Sequence, residues 1–242
     1  MYERMQGVAL RTIRHNDKNA IVHVYTDTHG LLAFLLPQST GKAARMKRAL
    51  FQPLSLVELV ADIVPSREIF HIRECRCLMP LPQIHTDPVR NAIAMFLTEL
   101  LSHVIQEQER NMPLFSFITG SVQLLDKEKE GIANFHICFL YNLGILIGIE
   151  PDTSTYSRGS YFDMVNGIFS PTPPLHGRYL MPEEAEVLMK LSRMTYSNMH
   201  LFRFNRRDRS RLLDLMLSYY SLHNSSLGTL RSPEVLSELF AD

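Results

Sequence analysis

The sequence predicts an α+β chain of 242 residues, with a five-stranded barrel over 1–80 followed by an all-helical domain over 81–242. Three observations carry this. Apolar residues alternate with period two up to about residue 80, and they recur at helical spacing from Thr86 onward. A Pro-, Gly-, Ser- and Thr-rich stretch at 150–181 interrupts the second half as an irregular loop.

In the first half, residues 7–13 alternate as a strand and 15–19 form a polar turn. Residues 20–26 are β-branched and aromatic, and Asp27-Thr28-His29-Gly30 reads as a hairpin loop ending in glycine. Residues 31–36 give a third strand stopped by Pro37. Residues 50–60 give a fourth, in which Pro53 forces an edge or a bulge, and 69–78 give a fifth. Five short strands in this length suit a small closed or nearly closed barrel.

The second half opens on Thr86-Asp87-Pro88, a cap with proline at the first helical position. Ile93, Phe96, Leu97, Leu100, Leu101, Val104 and Ile105 then repeat at helical spacing. Further helices are expected over 113–129, 132–147, from Pro182 with Glu183 and Glu184 in its first turn, over 206–223 and over 233–240. The uncharged run 132–149 approaches the ~20 residues of a membrane span. It contains Asn134, His136, Asn142 and two glycines, however, so a buried soluble helix is the expectation, with His136 filling a core position.

Lys+Arg and Asp+Glu both total 25, but the halves are polarised: residues 1–80 carry eleven cations against seven acids, and 81–242 carry fourteen against eighteen. Lys42, Arg45, Lys47 and Arg48 are grouped in the connection between the third and fourth strands, expected as a loop. In an OB-type barrel such loops border a cleft that tracks a nucleic-acid strand by phosphate contact and base stacking. Arg11, Arg14 and Lys18 near the first turn, and Arg73 and Arg76 on the fifth strand, extend the track. Tyr25, Phe34 and Phe51 are the stacking candidates. A solvated loop beside core aromatics is the plainer alternative. A second cluster, Arg203, Arg206, Arg207, Arg209 and Arg211, begins a helix, where cations oppose the macrodipole. Its partner is either an anionic group, from DNA or a protein, or the acids Glu183, Glu184 and Glu186.

Catalytic equipment is missing. Gln38-Ser39-Thr40-Gly41-Lys42-Ala43 fails as a P-loop, because Leu36 stands where the first glycine belongs and Ala43 replaces the magnesium-binding hydroxyl. Cys75 and Cys77 lack two further zinc ligands, and three cysteines in all argue for a reducing compartment rather than a disulfide framework. Asp126, Glu128 and Glu130 read as a solvated helix end. No metal, no cofactor and no enzymatic activity are expected. Neither a signal peptide nor an export context for Asn224-Ser225-Ser226 is visible.

Residues across the chain carry a family resemblance. Gly7-Val8-Ala9-Leu10-Arg11-Thr12, Asp17-Lys18 and Val24-Tyr25-Thr26 resemble the start of the bacterial RecO recombination-mediator family. So do Thr40-Gly41-Lys42-Ala43-Ala44-Arg45 and the most specific piece, Phe51-Gln52-Pro53-Leu54-Ser55-Leu56-Val57-Glu58. The likeness continues through Pro113-Leu114-Phe115, Asn134-Phe135-His136, Tyr161-Phe162-Asp163 and Gly167-Ile168-Phe169-Ser170-Pro171, and is similar to members from Bacteroidetes-type bacteria. It implies an N-terminal OB fold, binding of single- and double-stranded DNA, and annealing of complementary strands. It further implies partnership with RecR and, on DNA coated by single-strand-binding protein (SSB), help in loading RecA, all in the cytoplasm near the nucleoid. Many relatives hold zinc with four cysteines in the loop matching 150–181. This chain has none there, so aromatics such as Tyr161, Phe162, Phe169 and Tyr179 are expected to hold it. Some relatives place Arg before the phenylalanine matching Phe135, to receive the acidic SSB tail. Here Asn134 stands there, so either that site does not take the tail or Arg90, Arg110 or another cation substitutes. The competing reading is a non-catalytic protein–protein adaptor whose barrel binds a peptide or subunit, with incidental DNA contact.

Overall fold

In the first half the chain reverses at polar turns and closes a sheet on itself: β1 (Tyr2–Arg14), β2 (Asn19–Thr26), β3 (Gly30–Pro37), β4 (Leu56–Asp62) and β5 (Ile69–Met79) form a closed barrel in the order β1-β2-β3-β5-β4. The computed structural model describes residues 2–38, 41–64, 66–106 and 108–239. Ser39 and Thr40 of the P-loop-like stretch, and Phe240 of the last expected helix, lie outside them. Pairing is antiparallel except between β3 and β5, where Ala33, Phe34 and Leu35 run parallel to Ile69, Phe70 and His71. The barrel is filled by inward residues of every strand, among them Met5, Ala9, Val22, Val24, Phe34, Leu59 and Phe70. Burial of each large side chain is worth about 1.5–3 kcal/mol.

Two features of this half differ from expectation. The β3–β4 connection contains a helix, α1 (Lys42–Ala49), where a loop is expected. The fourth strand begins at Leu56 rather than at residue 50, because the chain turns first: Leu54 has φ 60 and is fully buried. That left-handed turn is anchored to β1 by Leu54 N–H to Ala9 C=O and by Ala9 N–H to Ser55 C=O, both 2.9 Å.

The chain divides into two compact units, Met1–Lys127 and Glu128–Asp242. Helices α2 (Pro82–Thr86), α3 (Pro88–Val104) and α4 (Met112–Lys127) therefore belong with the barrel. The expected cap is present: the Asp87 carboxylate accepts from the N–H groups of Val89 and Arg90. α3 packs on β1, so Val8 and Leu10 are buried although the barrel interior lies on the other side of the strand. Phe115 of α4 meets Tyr25 of β2, ring centroids 6.1 Å apart.

The second unit is built around α5 (Phe135–Leu146), entered through a short 3-10 turn, Ile132–Asn134. Apolar all round, α5 is a buried helix. The stretch expected to be irregular carries a small sheet, β6 (Tyr161–Asp163), β7 (Ile168–Ser170) and β8 (Tyr179–Leu180), in the order β7-β6-β8. Strands of two or three residues are too short for periodicity to register. Helices α6 (Pro182–Leu191), α7 (Arg206–His223) and α8 (Ser232–Leu239) complete the unit.

Candidate nucleic-acid interface

The β1–β2 turn is closed by Asn16, whose side-chain oxygen accepts from the N–H groups of Lys18 and Asn19 at 2.9 and 2.8 Å. Gln38 N–H then donates to Lys18 C=O at 2.7 Å, drawing the exit of β3 up against this turn. Arg48 reaches Pro37 C=O from α1, 3.4 Å away. One rim of the barrel thus collects Arg14, Lys18 and Arg48. Lys47 ties α1 to β5 through Ile72 C=O, at 3.1 Å. Lys42 and Arg45 are exposed on the same helix. α1 has no acid in its first turn, and Lys47 and Arg48 fall in its last turn, where the macrodipole favours cations. Of the rim cations, Arg14 is neutralised by Asp17 in an exposed pair. Such a pair is held weakly and yields to a competing phosphate.

Arg11 stands on β1 three residues before Arg14. It follows a bulge at Leu10, is exposed, and faces His23 on β2.

The β1–β4–β5 face presents a second group. Arg76 donates to both oxygens of Glu58, at 2.8 and 3.0 Å, and Arg4 approaches the same carboxylate at 3.4 Å. The Arg76 hydrogen bonds hold the Glu58 carboxyl below the usual carboxylate range, and Glu58 in turn raises the Arg76 guanidinium. In the β4–β5 ladder Val60 pairs with Glu74 and Ala61 with Ile72, so Arg73 is the extra residue of a bulge. It turns out onto the Tyr2 ring, its guanidinium carbon 4.3 Å from the centroid.

The stacking candidates do not belong to the interface. Tyr25, Phe34 and Phe51 are 1%, 0% and 6% exposed, because Phe34 and Phe51 fill the barrel and Tyr25 lies under α4. Among the described residues of the barrel, Tyr2 presents an exposed aromatic ring, at 55%. Sequence reasoning missed Tyr2 and Arg4. Their relevance depends on β1 pairing with β4, a long-range register that local alternation cannot supply.

In the second unit the Arg203–Arg211 cluster is split. Arg211 pairs with Glu184. Arg209 is half-buried and donates to Phe204 C=O, and burial lowers its guanidinium. The first turn of α7 is closed by its own acid: Asn205 accepts from Asp208 N–H, and Asp208 accepts from Asn205 N–H. Arg203, Arg206 and Arg207 remain exposed. Glu186 is engaged by Lys190 at 2.8 Å.

Two residues tied to the acidic-tail question have structural roles. Asn134 is 5% exposed, and its amide donates to Met199 C=O and Phe202 C=O at 2.9 and 2.7 Å. Arg90 is buried too. It donates to Leu125 C=O and Asp126 C=O at the end of α4, so it is not the substitute cation. Arg110 is exposed.

The cysteine-free loop is packed by its aromatics, partly on one another and partly on α6 and α7. Phe162 packs on Phe169 and Tyr219, Tyr156 packs on Phe169, and Tyr161 meets Tyr179 edge-on. Asp163 is its polar centre, unforeseen from sequence. It accepts from Val165 N–H, Asn166 N–H and the Asn166 amide, with His176 3.1 Å away. Burial alone would raise this carboxyl, but the hydrogen bonds outweigh it and hold it below the usual range. Among the described residues no three His, Cys, Asp or Glu side chains are grouped to hold a metal. Nor does any described helix have the length and apolarity to cross a membrane.

The fold is a closed five-stranded barrel leading into a helical region, with cations on α1 and the barrel rim, and by its match to known families the chain belongs to the recombination protein O family. The family models for the N-terminal and C-terminal parts match residues 1–81 and 85–231. Relatives bearing the name DNA repair protein RecO span the whole chain. That of Bacteroides fragilis is 41% identical over 241 residues, covering 99% of this chain and all of its own. That of Phocaeicola vulgatus is 38% identical with both chains fully covered, and that of Porphyromonas gingivalis is 33% identical over 97% of this chain and 98% of its own.

Proposed function

We propose that this chain is a non-catalytic DNA-repair mediator. It binds single- and double-stranded DNA through the barrel, anneals complementary strands and, with RecR, helps to load RecA on SSB-coated single strands. The observation that carries the reading is the rim of α1 and the β1–β2 turn, where Arg14, Lys18, Lys42, Arg45, Lys47 and Arg48 lie on a chain whose relatives are named for DNA repair. Phosphates neutralised there release counterions. Because Tyr25, Phe34 and Phe51 are buried, no ring of theirs competes for the bases of a strand bound at this rim, which stay free to pair with a second strand, as annealing requires.

The test is fluorescence anisotropy with labelled single-stranded DNA at two salt concentrations, comparing wild type with the double variant Lys42→Glu/Arg45→Glu. Both residues are exposed. The expected result is weaker binding to every sequence and a salt slope shallower by roughly 0.7 for each phosphate no longer neutralised. Unchanged binding would move the DNA path elsewhere. No binding by wild type at low salt would favour the adaptor reading.

A further inference from the structure

The Arg4–Glu58–Arg76 triad has an unusual arrangement of exposure. The Glu58 side chain is 14% exposed, whereas Arg4 and Arg76 are 67% and 68% exposed. The acid therefore lies beneath the two guanidiniums, which present only donors outward while the carboxylate removes one of their two charges. Arg76 uses two of its five N–H donors on Glu58, and the rest are available. An open groove between α1 and the β4–β5 strands includes two members of the triad, Glu58 and Arg76, together with Met46, Lys47, Arg73 and Glu74. Lys47 joins it to the rim, since the next residue of α1, Arg48, reaches Pro37 there.

We propose that this β1–β4–β5 face is a second contact surface for the nucleic-acid backbone and that Glu58 sets its affinity by holding back the charge of Arg4 and Arg76. The inference rests on the DNA-binding reading above and deepens it. A nucleic acid fits better than an acidic protein segment because the face offers an exposed ring, Tyr2, with Arg73 against it, alongside spaced guanidiniums. Rings take bases and guanidiniums take phosphates. Glu58 is a positioning residue: it acts through the two arginines, to which its carboxylate is bound.

The experiment uses the full chain and labelled oligo-dT over a salt series from about 50 to 200 mM, the range in which phosphate binding falls steeply. Glu58→Gln keeps the side-chain size and one acceptor oxygen, removes the charge and gives up the second hydrogen bond to Arg76. It should bind more tightly, with a salt slope steeper by roughly 0.7 for each additional phosphate neutralised, so that the gain is about threefold larger at 50 mM than at 200 mM. Arg76→Gln should give a shallower slope than wild type, and in that background Glu58→Gln should have a smaller effect. A folded Glu58→Gln protein that binds no more tightly than wild type overturns the inference. If that variant does not fold, an unchanged slope for Arg76→Gln overturns it instead. Labelled poly-glutamate that binds more tightly to Glu58→Gln while oligo-dT does not would assign the face to an acidic protein and sink the nucleic-acid version. Wild type read alone keeps the two failures apart. Without salt-dependent binding of its own, the DNA reading and this inference fall together. With it, a flat Glu58→Gln response removes the inference only.

Discussion

At the scale of single residues, the polar groups that matter most to the fold are ones a sequence reader takes for ligands. Arg90 is a candidate tail-binding cation by sequence, yet its guanidinium is sealed between α3 and the last carbonyls of α4. Replacing it with Met preserves the apolar stem and strands two buried acceptors. Arg90→Met should cost about 1–3 kcal/mol in a urea melt followed by circular dichroism, with DNA affinity unchanged. Circular dichroism is the natural probe because the chain has no tryptophan. His136 reads as a core residue in the sequence, and it is fully enclosed. Burial, with Arg209 nearby, pushes its pKa down from 6.5 to about 3. The unfolded chain therefore takes up a proton near pH 6.5 that the folded chain refuses. His136 thus contributes stability present above pH 6.5 and lost progressively as pH falls from there toward 3. Burial lowers His23 as well, so it adds to the same slope. Urea midpoints measured at pH 7.5 and 5.5 should fall on acidification. His136→Leu should flatten that fall, and an equal drop in the variant would assign it to other groups.

At the scale of elements, local signals work wherever a local cause exists. Asp87 before Pro88 is such a cause. The carboxylate satisfies two N–H groups that the helix leaves open, and no tertiary contact is needed to read it. Asp87→Ala should lower stability by about 0.5–2 kcal/mol, measured by the same urea melts, while Asp87→Ser should recover most of it. The same local reading finds α7, whose bounds match the expected 206–223. It fails at α1, where the residues of Lys42-Ala43-Ala44-Arg45-Met46-Lys47-Arg48 are good helix formers whose charge masks that propensity. It fails again at 50–55, where apolar residues suggest strand while Leu54 bends backward to meet β1. Gly7 shows how tightly that strand is registered: a Cβ there would lie 2.3 Å from Val24 Cγ1.

At the scale of the whole molecule, two boundaries coexist. The family models divide between residues 81 and 85, where barrel gives way to helix, while the compact units divide after Lys127. Both are physical. The first marks a change of periodicity, and the second follows the burial of Val8, Leu10 and Tyr25, a barrel surface that stays dry only with α3 and α4 against it. Sequence by itself determined what depends on neighbours along the chain: alternation, caps, the clustering of charge on residues 42–48, and the run of family motifs. Tertiary structure alone decided which charges are paired and which rings are exposed. The sequence could not say that Phe34 faces inward, that Arg209 turns toward Phe204, or that Arg4 and Arg76 share Glu58, residues brought together from three strands. Exposure and ion pairing are set by distances between segments far apart in sequence, and those distances come into being only when the barrel closes.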